Sequence, residues 1–152
     1  MRTLHLNRTF DAVFMNDSIV YMTSREDLLA VFRTAYKHLR PGGVMVVCAE
    51  FVKEQFKQNA TSVAIIKDAH LDVAIIENNY DPNPIDDTFE TTFIYLIRDH
   101  GILTIEHDLH VIGLFSLDTW RDLFKQSSFE VNEQIVHLGD TELPVFTCVR
   151  PQ

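Results

Sequence analysis

Residues 10–51, FDAVFMNDSIVYMTSREDLLAVFRTAYKHLRPGGVMVVCAEF, decide how this chain is read. Phe10–Phe14 (FDAVF) is a short strand-like run that stops at the polar corner Asn16-Asp17-Ser18. Ser24, with Asp27 three residues on, gives a capping-box-like helix start. Leu28, Leu29, Phe32, Ala35, Tyr36 and Leu39 then recur at helical spacing on one face. Arg40-Pro41-Gly42-Gly43 stops the helix, because proline cannot continue it and glycine allows the reversal. Val44–Phe51 (VMVVCAEF) is a near-continuous apolar run, which suits a strand buried on both faces in a parallel sheet. The stretch therefore reads as strand–helix–strand with a right-handed crossover. In an open α/β sheet, ligands sit at the carboxyl ends of the parallel strands. That places Met15, Asn16, Asp17 and Ser18, with Ala49 and Glu50, on one rim.

Downstream the texture changes. Val52–Ala60 is polar and reads as helical or irregular. Leu71–Asn78, Thr88–Arg98 and Ile102–Ile112 are strand-like, and predict an antiparallel sheet of about three strands. Tyr80-Asp81-Pro82-Asn83-Pro84 breaks the first two, and Asp99-His100-Gly101 joins the last two at hairpin length. Ser116 caps a helix carrying Leu117, Trp120, Leu123 and Phe124. Phe129–Leu138 and Val145–Val149 are two further strands, joined by the turn Gly139-Asp140-Thr141.

At 152 residues the chain is long enough for one domain with its own core and too short for two ordinary ones. Thirteen Lys and Arg stand against 22 Asp and Glu, a net charge of -9. A chain of this sign repels phosphate backbones and anionic lipid, so nucleic acid and membranes are not expected partners. Its longest apolar stretch, Gly43–Ala49, is far short of the roughly 20 residues that span a bilayer. Residues 1–10 alternate polar and apolar, with no signal-peptide core, which points to the cytoplasm. Cys48 and Cys148 lie in apolar runs and read as buried free thiols of a reducing compartment. The five glycines (42, 43, 101, 113 and 139) are about half the usual share of roughly 7%. None of them forms G-x-G, so these residues hold no Gly-rich phosphate or dinucleotide loop.

Seven histidines invite a metal reading, but no ligand set assembles and no metal site is expected. His107 and His110 are three apart in a strand and face opposite sides. Asp68, His70 and Asp72 could converge if extended, yet a fourth ligand is missing. There is no G-x-S-x-G elbow, and the apolar flanks of Cys48 raise its thiol pKa, which argues against a nucleophile. His110 closes the string Glu106-His107-Asp108-Leu109-His110 at a strand mouth. Beside acidic groups it can act as a general base or substrate ligand, or be a hydrogen-bonded structural histidine.

At these residues the sequence resembles the class I S-adenosylmethionine-dependent methyltransferases. FDAVF…Y…LLAVFRTAYKHLRPGGVMVV is similar to that family's fourth strand, the helix after it, its L-[RK]-P-G-G turn and its fifth strand. Tyr80–Gly101 (YDPNPIDDTFETTFIYLIRDHG) and His107–Val131 (HDLHVIGLFSLDTWRDLFKQSSFEV) resemble a small-molecule subset. That subset, which includes amino-sugar N,N-dimethyltransferases, inserts antiparallel strands before the last helix. MRTLHL at the start looks like the stretch just after the family's third strand.

The resemblance implies an α/β fold: a partial Rossmann-like methyltransferase sheet, its last four strands, with an antiparallel sheet inserted over residues 61–113 of a single domain, 1–152. It implies a chain that begins in mid-fold, without the first strand, the Gly-rich loop or the acidic residue ending the second strand. Of the S-adenosylmethionine contacts, Met1, Arg2, Met15, Asn16 and Asp17 would remain, so the cofactor site would be incomplete. Tyr21 and His110 are the candidate catalytic residues. With Glu50 they would line the pocket of a small-molecule methyl acceptor. Tyr21 could equally be helix-entry packing and Glu50 a solvated side chain. The halved sheet would expose the Phe10–Phe14 edge, so a homodimer or larger assembly through that strand or the helix Ser24–Leu39 is expected. Two other readings remain: a non-catalytic module acting through oligomerisation or ligand binding, and an unrelated α+β ligand-binding fold built around residues 71–112.

Overall fold

A computed structural model describes residues 1–139 and 141–152. It is an α/β structure with one mixed and one antiparallel sheet. The chain forms two compact units, residues 1–55 with 113–152, and residues 56–112.

In the first unit β1 (Phe10–Met15) pairs in parallel with β2 (Leu39–Cys48), with the helix α1 (Arg25–His38) between them in sequence. This adjacency is what the α+β reading would have lacked. A 3-10 turn at Asp17–Tyr21 leads into α1, whose first amides are capped as expected. The Ser24 hydroxyl accepts from the Asp27 amide at 3.1 Å. Leu28, Val31, Phe32 and Ala35 form the buried face of the helix. Leu39, expected on that face, is instead the first residue of β2 and is fully buried there.

The L-R-P-G-G turn has a concrete geometry. Gly42 takes a left-handed φ of 77°, a conformation open to glycine at little cost. At Gly43 a Cβ would come within 2.8 Å of the Arg40 carbonyl and 3.2 Å of the Asp11 carbonyl on β1. The pairing register slips here: Phe10 faces Leu39 but Ala12 faces Val44, so the turn bulges out of β2. Arg150, at the far end of the chain, closes the helix. Its guanidinium donates to the Tyr36 and Leu39 carbonyls at 3.0 and 2.6 Å and stacks 4.7 Å above the Tyr36 ring. A cation at this end also complements the helix dipole.

The strand expected over Val44–Phe51 ends earlier, at Cys48, and Val52 makes only an isolated parallel bridge to Phe115. β8 (Thr141–Val149) lies antiparallel to β2, and β7 (Glu130–Leu138) pairs with β8, giving the order β1-β2-β8-β7. The expected turn between them includes Asp140, which lies outside the described residues. The helix α2 (Leu117–Gln126), capped by Ser116 through the Thr119 amide, contributes Trp120, Leu123 and Phe124 to the core. There Phe32 stacks on Phe124 at 4.4 Å, and Phe146 sits 4.9 Å from Phe124 and 5.9 Å from Trp120. Cys48 and Cys148 are buried free thiols, and burial pushes the Cys148 thiol up to about 12.

The second unit is a four-stranded sheet, β3 (Ala60–Lys67), β4 (Leu71–Tyr80), β5 (Thr88–Asp99) and β6 (Ile102–Gly113), in that order. It has one strand more than the three expected. β3 is an edge strand, exposed along nearly its whole length. Its sequence ATSVAIIK is rich in small residues and shows little of the alternation that marks a half-buried strand. The residues between β2 and β3 are irregular rather than helical. Among the described residues, no helix is long and apolar enough to cross a membrane.

Candidate functional site

The rim at the carboxyl ends of β1 and β2 is built from short-range contacts. Asn16 leaves β1 in an extended conformation (φ -116°, ψ -170°) and its amide donates to the Asp17 carboxylate. The Ser18 hydroxyl turns back to the Asn16 carbonyl at 3.2 Å and lies 3.7 Å from the Met1 sulfur. Met1 therefore reaches the same rim. Its segment is held against α1 at two points. The Thr34 hydroxyl donates to the Arg2 carbonyl at 2.9 Å, and the Leu6 amide donates to Nε2 of the buried His38 at 2.8 Å. That bond leaves His38 Nδ1 to donate to the Thr34 carbonyl at 2.7 Å.

Carboxylates of the rim are felt at Cys48. Burial first, then the charges of Asp17 and Glu50, push its thiol up. The rim thus combines two acids, an amide, a hydroxyl and the Met1 thioether. Two residues sit apart from it. The Met15 side chain is buried in the core cluster. The Arg2 guanidinium pairs with Asp27 at 2.6 Å, in a groove of about 300 Å³ along α1 that also takes in Arg33 and Lys37. Tyr21, half exposed, ends the 3-10 turn. The next carbonyl, that of Met22, lies so close to Gly113 that a Cβ there would come within 2.1 Å of it.

His110 belongs to the second unit and has its own surroundings there. Its Nε2 bonds the Asp108 carboxylate at 3.0 Å, and its ring meets Phe93 edge-on at 5.1 Å. The hydrogen bond from His110, then one from the Leu109 amide, hold the Asp108 carboxyl below its usual range. Strand alternation places Glu77 and Asn79 of β4 on the same face as Thr91, Phe93 and Tyr95 of β5, through the pairs Asn79–Thr91, Glu77–Phe93 and Ile75–Tyr95. Thr91 donates to Asn79 at 2.7 Å and Asn79 to Glu77 at 3.1 Å. This polar and aromatic face gives His110 company that the sequence reading did not name. Odd-numbered polar and aromatic residues on both strands were the available signal, usable only with the register known.

Among the described residues no cluster of His, Cys, Asp and Glu could hold a metal ion. For a cationic sulfonium ligand with an adenine ring, the rim's carboxylates, amide and thioether are suitable donors and contacts. A Gly-rich backbone cradle is not present in these residues.

No protein-family model matches the sequence, and no curated protein matches it. Solved structures do. DesVI of Streptomyces venezuelae is 25% identical, with a TM-score of 0.86 over 99% of this chain and 62% of its own. The sugar N-methyltransferase KedS8 of Streptoalloteichus is 20% identical, with a TM-score of 0.85 over 99% and 60%. The S-adenosylmethionine-bound amino pentose methyltransferase CalS10 of Micromonospora echinaspora is 19% identical, with a TM-score of 0.84 over 98% and 61%. The chain spans about three fifths of the length of these structures. It has the class I S-adenosylmethionine-dependent methyltransferase fold, in the form found in small-molecule methyltransferases.

Proposed function

We propose that this chain is the C-terminal part of an S-adenosylmethionine-dependent methyltransferase acting on a small molecule, and that these 152 residues by themselves are incomplete as a catalyst. The observation that carries the reading is the likeness to sugar methyltransferases over 98–99% of this chain but only about 60% of theirs. The absence of G-x-G from the sequence supports the second half of it.

Bound S-adenosylmethionine supplies an electrophilic methyl group on a sulfonium. In this reading Met1 would meet the adenine and Asn16 and Asp17 would help hold the cofactor, with Met15 and Arg2 positioning their segments. Glu50 and Tyr21 face the acceptor from the rim. His110, oriented by Asp108, is the base that takes the proton of the acceptor group, which keeps the acceptor's lone pair available. Most of the rate would come from holding donor and acceptor in line. Glu77, Asn79 and Thr91 on that face of the antiparallel sheet suit a hydroxylated or amino-substituted acceptor better than an apolar one.

Titration calorimetry of the 152-residue chain with S-adenosylmethionine tests the incompleteness. No binding is expected at ligand concentrations on the order of 100 µM, within the range of ordinary enzyme affinities. Micromolar binding would defeat it. A second reading, a non-catalytic module acting by association, is favoured by one observation: β1 is an edge strand and its Phe14 is 70% exposed. Such an edge accepts further strands, from a segment of the same protein or from a second copy.

A further inference from the structure

Charge is unevenly divided between the two units. Residues 56–112 carry Lys57, Lys67 and Arg98 against ten Asp and Glu, a balance of -7 within the chain's -9. Within the sheet the signs are sorted by face. Lys67 and Arg98 flank Asp72 in one cross-strand row, opposite in phase to Glu77 and Phe93. Lys57 lies outside the strands. The contact of His110 with Phe93 sets Asp108 and Glu106 of β6 on the same face as Glu77. Among the described residues, the His110 face therefore has carboxylates from β4 and β6 and no Lys or Arg from any of the four strands.

Glu77 and Phe93 stand directly opposite each other in the β4–β5 ladder, where Cβ atoms are about 5 Å apart. Asn79 donates to Glu77 Oε1 at 3.1 Å and accepts from Thr91 at 2.7 Å, which holds the carboxylate in place. Phe93 stacks with Tyr95 at 6.1 Å and takes the edge contact of His110 at 5.1 Å. A carboxylate fixed beside an aromatic pair attracts an ammonium twice, through its charge and through the negative face of the ring. A phosphate laid here would meet acids and no cation, and the strand amides that could bind it are committed to the ladder. We propose that the part of the methyl acceptor lying on this face is a protonated amine, held by Glu77 and Phe93, and that it carries no phosphate there. Resting on the methyltransferase reading above, this narrows a hydroxylated or amino-substituted acceptor to the amine. An ammonium must lose one proton before its nitrogen can accept a methyl group, and His110, against the same Phe93 ring, is the base on that face.

Nuclear magnetic resonance titration of the isotope-labelled chain tests this with three probes of one shape: cyclohexylamine, cyclohexanol and cyclohexanecarboxylate. At neutral pH the amine is protonated, since alkylamines titrate near about pH 10. Cyclohexylamine is expected to bind in the millimolar range and to shift the amides of Glu77, Phe93 and His110. Cyclohexanol should bind at least about 10-fold more weakly, and cyclohexanecarboxylate more weakly still. Glu77→Gln is expected to weaken amine binding about 10-fold and Phe93→Leu about 3-fold. Glu90→Gln removes the same charge from the opposite face and should leave the amine's affinity unchanged. Far-ultraviolet circular dichroism checks that each variant is folded. Three results would overturn the inference: either of the other probes binding these residues as tightly as the amine, no shift of them with the amine at about 20 mM, or equal losses from Glu77→Gln and Glu90→Gln. Micromolar S-adenosylmethionine binding in the calorimetry above would instead defeat the incompleteness of the chain and leave these shifts unchanged, so the two failures are distinguishable.

Discussion

Phe32, Phe124, Phe146 and Trp120 pack ring against ring in the first unit and are at most 4% exposed. Val63, Ile65 and Ile105 in the second are at least 62% exposed, although their strands are as rich in apolar residues. The difference lies in layers. The first unit's sheet is covered by α1 and α2, whose apolar faces close on it. Among the described residues of the second unit, Phe89 and Ile112 are the buried apolar side chains. Phe89 is packed by Phe56 at 4.9 Å. A sheet buries its faces only against another layer, so the first unit carries its core within itself, while the second presents apolar surface outward.

The largest expected effect should separate the two. Phe124→Ala is expected to cost about 3–5 kcal/mol, since it empties the centre of the aromatic cluster. Ile105→Thr should cost less than about 0.5 kcal/mol in protein dilute enough to be unassociated. Urea denaturation of both variants checks the pair, and comparable losses would mean the exposed face supports its own unit after all. Gly113→Ala is next, at about 2–3 kcal/mol, because its methyl would have to displace the Met22 carbonyl or the Phe115 ring. Gly101, also a glycine near the ends of β6 but with open space around it and φ 83°, should lose only about 1 kcal/mol on the same change. Thermal melts that rank the two the other way would remove the steric account.

The smallest expected effect concerns the tie between α2 and β7. Arg121 grips Glu133 through two 2.8 Å bonds and reaches Asp118 as well. Arg121 holds the Glu133 carboxyl below its ordinary range. A depressed carboxyl stabilises the fold above its unfolded pKa, and that contribution is lost as pH falls through the folded one. Glu133→Gln should therefore cost about 1 kcal/mol or less at pH 7, the pair being partly exposed. The gap to wild type should close on acidification below about pH 4, near the ordinary range of a glutamate. A gap that stays constant down to pH 3 would assign the loss to packing.

How much was legible follows the same division between local and non-local. The Ser24 cap, the apolar stripe of α1, the stop at Pro41-Gly42-Gly43 and the Ser116 cap of α2 are set by neighbours in sequence, and each was readable there. β3 was not, because an exposed edge of small residues carries no burial pattern. The end of β2 at Cys48 was missed for the opposite reason: AEF continues the apolar run after the ladder has stopped, the Ala49 amide bonding to the Pro144 carbonyl. At the candidate site, Asn16, Asp17 and Ser18 could be placed on a rim from strand polarity alone. The Asp108–His110 pair was suggested by spacing. Phe93, Glu77 and Asn79 were beyond reach, since which residues share a face with His110 depends on the pairing of three strands.

From its sequence alone, this chain specifies the strand–helix–strand unit, the rim at its carboxyl ends and the methyltransferase likeness, because periodicity, capping and turn chemistry are local properties. Tertiary structure alone decided three things. Arg150 closes a helix 111–114 residues away. Gly113 is glycine because the Met22 carbonyl occupies the space of a side chain. One face of the antiparallel sheet sets Phe93, Glu77 and Asn79 beside His110, while the other leaves Val63 and Ile65 exposed. Each depends on which distant backbones lie side by side, and a period of two along a single strand says only that its faces differ, not what either one meets.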